Sequence, residues 1–150
     1  MLSALLLVGC TSKKEFSGAG ITIELNDTFT KKTVVQAPFY LESPQHIVMG
    51  LRETKSDLSS HGIETLNEYI VAVLRNGNKL VPVEESDEDE SFEYYFAYYT
   101  SSVEDQDFGY MLVVLEGEDH FYSITFGCLE SNLEKNKDTY FKWLNTITVE

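Results

Sequence analysis

A chain of 150 residues with 25 acidic against 11 basic side chains carries a formal charge of −14 at pH 7. That excess repels nucleic acid and anionic headgroups, which excludes a nucleic-acid partner. The length is that of one domain able to bury its own core, and two cysteines, Cys10 and Cys128, allow one disulfide at most.

The first ten residues form an apolar run that ends in Leu7-Val8-Gly9-Cys10, and the chain turns polar at once with Thr11-Ser12-Lys13-Lys14-Glu15. An apolar core closed by a small residue is the layout of a signal peptide. It is too short to span a bilayer as a helix, which takes about 20 residues. The stretch resembles the lipobox of bacterial lipoproteins. The resemblance implies a signal peptide over residues 1–9 and a Cys10 that is diacylated. It also implies a chain lipid-anchored to the bacterial cell membrane on its extracytoplasmic face, since two acyl chains hold stably where one is marginal. Cys128 then has no partner. It shares strand parity with Ile124 and Phe126 and is expected in the core. Residues 10–19 read as the lipidated cysteine and a tether, with Lys13 and Lys14 placed to meet headgroups. The folded domain is expected over residues 20–150.

Ile21, Ile23 and Leu25 alternate with Thr22 and Glu24, which predicts a half-buried strand. Residues 38–42 and 46–52 read as a hairpin turning at Ser43-Pro44-Gln45. Ile63, Leu66, Ile70, Val73 and Leu74 fall on one helical face and predict a helix over 63–75. Glu64 lies in its first turn, Arg75 in its last, and Gly77 is placed as a left-handed cap. Residues 79–83 and 92–100 are predicted strands around an acidic loop. Residues 110–115 and 121–129 form a second hairpin across Gly117-Glu118-Asp119. Met111 to Leu115 is apolar on both parities and needs cover on both faces. Ser131 and Glu134 have capping-box spacing and open a helix to about residue 145, with Leu133, Tyr140, Phe141 and Leu144 inward. Residues 146–149 read as a short extended tail.

Hairpin-connected strands with two helices predict an α+β fold, an antiparallel β-sheet of about six or seven strands with helices packed on it. The early Gly20-Ile-Thr-Ile-Glu-Leu25 strand and the amphipathic helix at 63–75 carry a resemblance. So does the closing unit from Phe121-Tyr-Ser-Ile-Thr-Phe-Gly-Cys128 through Trp143-Leu-Asn-Thr-Ile147. In these the chain resembles the PsbP-like fold, which also includes a Ran-binding nuclear import factor and many bacterial lipoproteins. The resemblance covers residues 20–149. It implies a non-enzymatic binding or accessory domain, with no metal or partner residue carried over.

Ten carboxylates and no base stand between Glu84 and Asp107. An EF-hand loop from Asp87 fails, because Phe92 occupies the position that needs glycine. A solvated, mobile tip is the expectation, since like charges repel. Weak calcium binding at Asp87, Asp89 and Glu90 is the alternative, and no other cofactor is expected. Phe92 to Tyr99 is aromatic, with Tyr94, Phe96 and Tyr98 on one side and Tyr95 and Tyr99 on the other. Most of these rings are expected to pack in the sheet. An exposed row among Tyr94, Tyr95, Tyr98 and Tyr99 would suit an envelope protein or glycan. Asp57, Ser59, Ser60 and His61 hold the residue types of a hydrolase triad, but sequence neighbours rarely form that geometry. They read as a polar loop, which leaves a hydrolase with a nonstandard site as the remaining alternative. The expectation is a non-enzymatic, membrane-anchored surface lipoprotein of the cell envelope.

Overall fold

A computed structural model describes residues 12–150. Its elements run β1 (Lys13–Gly18), β2 (Ile21–Asn26), β3 (Thr30–Lys31), β4 (Phe39–Glu42), β5 (Ile47–Thr54), α1 (Lys55–Ser59), α2 (Leu66–Asn76), β6 (Glu84–Glu85), β7 (Tyr94–Val103), β8 (Gln106–Glu116), β9 (His120–Leu129), α3 (Glu130–Leu144) and β10 (Thr148–Val149). Seven strands form one antiparallel sheet in the order β3-β4-β5-β9-β8-β7-β6, and β1-β2-β10 form a second. The fold is α+β, as the hairpin-rich order predicted.

The two hairpins at the centre explain the layers. Met111 and Val113 point to one face of the large sheet, and Leu112 and Val114 to the other, all buried. The first face is covered by the small sheet and α3. There Ile21, Ile23 and Leu25 meet Val113, Ile124, Phe126, Tyr140 and Leu144 in the larger core. Cys128 is buried in the same core. The second face receives α2, whose Leu66, Tyr69, Ile70 and Leu74 pack on Ala97, Leu112, Val114 and Phe121. Each such side chain, once fully buried, contributes roughly 1.5–3 kcal/mol.

Several local expectations change. Residues 13–18, expected as part of a tether, form β1 and pair with β2 from Lys13↔Asn26 to Gly18↔Ile21. Phe16 explains why: it is the one large apolar residue of that stretch, and it is only 6% exposed in the larger core. The segment at 79–83 is irregular and the strand shifts to Glu84–Glu85, while Val81 and Val83 still pack on the α2 side. Pro82 has no N–H for a ladder. The extended tail is a true strand, β10, paired with β2.

The helix ends differ too. α2 starts at Leu66, not 63, because Thr65 is its N-cap and forms a complete capping box with Glu68. At the other end Gly77 has φ −87°, and Asn78, at φ 55°, takes the left-handed position. The Lys79 N–H then donates to the Leu74 carbonyl at 2.9 Å. The Ser131–Glu134 box does not form. β9 runs straight into α3, whose N-cap is Leu129 with no side-chain cap. α1, read from sequence as loop, is a short helix capped by Thr54. The β7–β8 strands are longer than predicted. They meet at a two-residue turn in which Glu104 and Asp105 have φ of 51° and 62°, as the primed hairpin turns require.

Candidate functional site

Strand alternation leaves half of one face of the large sheet open. In β4, Phe39 and Leu41 enter the core and Tyr40 points away; in β5, Val48 and Gly50 are buried while Ile47, Met49 and Leu51 point to the opposite face. That is the face α2 packs on, but α2 lies over β7, β8 and β9. Tyr40, Ile47, Met49, Leu51, Phe108 and Tyr110 are all half-buried and belong to neither core cluster. They form an apolar and aromatic platform across β4, β5, β9 and β8.

At one end of the platform, where β9 enters α3, is a cleft of about 410 Å³. Tyr40, Ile47, Phe108 and Tyr110 wall it, Gly127 supplies its floor, and Gln45 and Asn132 bring amides to its rim. Gly127 stands between Ile47 on β5 and Tyr110 on β8. A Cβ there would come within 2.8 Å of Ile47 Cγ1 and of the Tyr110 ring. The missing side chain thus lets the ring lie across the strand. Tyr99 stacks on Tyr110 from the other side, with ring centroids 5.0 Å apart.

Behind the cleft, His46 Nδ1 lies 3.0 Å from the Tyr140 hydroxyl, and its ring meets Trp143 edge-on at 5.2 Å. Burial lowers the His46 pKa, so the ring is neutral at pH 7. Burial also raises the phenols of Tyr40 and Tyr110, Tyr40 further through Glu42 and Tyr110 through Tyr40. Both hydroxyls keep their protons and can donate as well as accept.

The predicted binding tyrosines are divided between the two faces. Tyr94 is 3% exposed in the larger core. Tyr98 lies under Lys137 Nζ, 4.3 Å from its ring centre, and burial followed by Glu84 and Glu134 pushes its phenol up to about 12. Tyr95 is on the α2 face and donates to Glu85 at 3.3 Å. Of the four, Tyr99 reaches the cleft, through its stack on Tyr110. Tyr40, Tyr110 and Gly127 were not singled out from the sequence. The available signal was β5 itself, where Ile47-Val-Met-Gly-Leu51 is apolar on both parities, as Met111 to Leu115 is.

Asp87, Asp89 and Glu90 stand exposed on the turn before β7. Among the described residues no three His, Cys, Asp or Glu side chains are grouped so as to hold a metal ion. In the Asp57–His61 segment, the Ser60 hydroxyl donates to the Asp57 main-chain carbonyl at 2.6 Å, and His61 Nδ1 lies 2.9 Å from the same oxygen. These groups close the end of α1. Cys10 lies outside the described residues, and among those described no helix is long and apolar enough to cross a membrane.

Taken with this layout, comparison with solved structures defines the class: the fold is PsbP-like. The chain is similar to cyanobacterial PsbP (CyanoP) from Synechocystis sp. PCC 6803, with a TM-score of 0.69 over 99% of each chain at 15% identity. It is also similar to the Ran-binding protein Mog1p of Saccharomyces cerevisiae, with 0.58 over 93% of this chain and 96% of that one at 12% identity. A Bacteroides thetaiotaomicron protein aligns with a TM-score of 0.60 at 8% identity over 91% of this chain and 48% of its own. No family model matches the chain, and no curated protein matches it in sequence.

Proposed function

We propose that this chain is a non-enzymatic binding domain of the bacterial cell envelope. It is held at the membrane by lipid on Cys10 and captures an envelope protein or glycan on its open sheet face. The observation that carries the reading is the platform of Tyr40, Ile47, Met49, Leu51, Phe108 and Tyr110, half-buried and outside both cores. Contiguous apolar surface of this kind, rimmed by polar groups, marks interaction sites. The lipid anchor rests on Leu7-Val8-Gly9-Cys10 alone. The non-enzymatic reading is supported by the Ser60 hydroxyl and His61 Nδ1, which both turn to the Asp57 main-chain carbonyl.

Two measurements test it. Growth with a clickable fatty acid should label the wild-type chain and leave Cys10→Ala unlabelled; an unlabelled wild type removes the anchor. Immobilised protein should retain an envelope component that a Met49→Lys, Leu51→Lys variant of unchanged melting temperature releases. Equal retention by both removes the platform from the function.

A further inference from the structure

We propose that the cleft bounded by Tyr40, Tyr110 and Phe108 holds an uncharged sugar ring of a neutral saccharide. The proposal rests on the reading of the open face as a binding surface and names the ligand class of the cleft at one end of it.

Charge is the first ground. The chain has 36 charged side chains in 150, at 24% of its residues, yet none of those lining the cleft is Asp, Glu, Lys or Arg. His46 stays neutral through burial. The ion pair beside Tyr40, Lys32–Glu42, is closed on itself at 3.2 Å. An anion or cation entering the cleft would lose water and meet no counter-charge, which costs more than the site returns. An uncharged ligand carries no such penalty.

The walls decide what kind of uncharged ligand. Tyr40, Phe108 and Tyr110 are half-buried and so keep accessible ring surface. The negative face of an aromatic ring attracts the C–H groups along one side of a pyranose. Gln45 and Asn132 at the rim, with the two protonated phenols, offer donors and acceptors together. A sugar presents that combination, with one apolar face and hydroxyls around its edge. An acyl chain fits less well, because it gains by complete enclosure and these walls are half open. The volume of about 410 Å³ lies within the span of roughly 300–1,000 Å³ usual for small-ligand sites.

Rigidity is the second ground. Tyr110 is held by the Gly127 floor below and by Tyr99 at 5.0 Å. Phe108 is next in the same row, its centroid 6.5 Å from that of Tyr110. A platform already ordered loses little entropy when a ligand settles on it.

The test is a heteronuclear NMR titration of the full ¹⁵N-labelled chain with cellotriose, maltotriose and chitotriose. Trigalacturonate and the chitosan trimer serve as anionic and cationic counterparts. At least one neutral trisaccharide should shift Tyr110, Gly127 and Gln45 saturably below about 10 mM. Tyr110→Ala should weaken it about threefold to tenfold, and Tyr95→Ala, outside the cleft, should leave it unchanged. The charged trimers should bind at least about tenfold more weakly. No saturation by any neutral sugar, shifts centred elsewhere, or equal binding of a charged trimer overturns the assignment. If the sugars fail while Met49→Lys, Leu51→Lys still releases the envelope component, the sugar assignment falls and the binding face stands.

Discussion

A methyl group at position 127 would press on Ile47 and on the Tyr110 ring at once. Both contacts are side chains that can swing, so Gly127→Ala should fold and should cost about 1–3 kcal/mol in chemical denaturation. It should also displace Tyr110 from Tyr99, read as loss of the Tyr99–Tyr110 cross-peaks. Retained cross-peaks would mean that the ring does not need the bare strand. His46 sets a different single-residue test. Its pKa is lowered by burial, so below the ordinary value of 6.5 the unfolded chain takes up a proton that the folded chain refuses. Stability is therefore full above 6.5 and falls as the pH drops, until the folded ring protonates too. The melting temperature should decline as the pH falls below 6.5, and His46→Gln should flatten that decline. An unchanged slope in the variant would place the proton elsewhere. At this scale much was legible: Cys128 lies in the core on the parity of Ile124 and Phe126. Gly127 was not, because a missing side chain matters only through the neighbours that two other strands bring to it.

Among elements, β1 departs furthest from its sequence. Lys13-Lys-Glu-Phe-Ser-Gly18 has one large apolar residue and no sustained alternation, so periodicity is silent. What makes it a strand is six backbone pairings with β2 and one buried ring. Phe16→Ala should therefore cost about 3–5 kcal/mol in denaturant unfolding. A loss of about half a kcal/mol, as at a surface site, would return the segment to a tether. The helices show the reverse relation. Both Thr65–Glu68 and Ser131–Glu134 have the spacing of a capping box, and only the first forms. Thr65 ends a loop, where its extended backbone at φ −120° is free to cap. Ser131 follows a strand that has already turned into a helix at Glu130. Spacing alone cannot distinguish the two, because the difference lies in what the preceding segment is doing.

At the scale of the molecule, the antiparallel α+β architecture was readable because the two-sided apolar run at Met111 to Leu115 demands cover on both faces. The position of the open face was not readable, since that depends on which strands α2 lies over. The excess of 25 acids over 11 bases makes a whole-molecule prediction. Raising salt from about 10 to 150 mM shortens the screening length from roughly 30 to 8 Å. Self-repulsion weakens, and the melting temperature should rise. A fall would mean that exposed pairs such as Lys55–Glu116, 2.6 Å apart, outweigh the repulsion.

The small sheet also has a bearing on when the protein can fold. β2 is flanked by β1, close before it in the chain, and by β10, and the Thr146 hydroxyl that secures the Glu24 N–H is 122 residues downstream. Further on, the Glu150 N–H reaches the Gly20 carbonyl and the Tyr122 hydroxyl donates to the Glu150 carbonyl. A growing chain therefore carries an uncovered strand edge and an unlatched layer until residues 146–150 have been made. Closure of this layer waits for residues 146–150, which lie on the far side of the whole large sheet in the order of the chain.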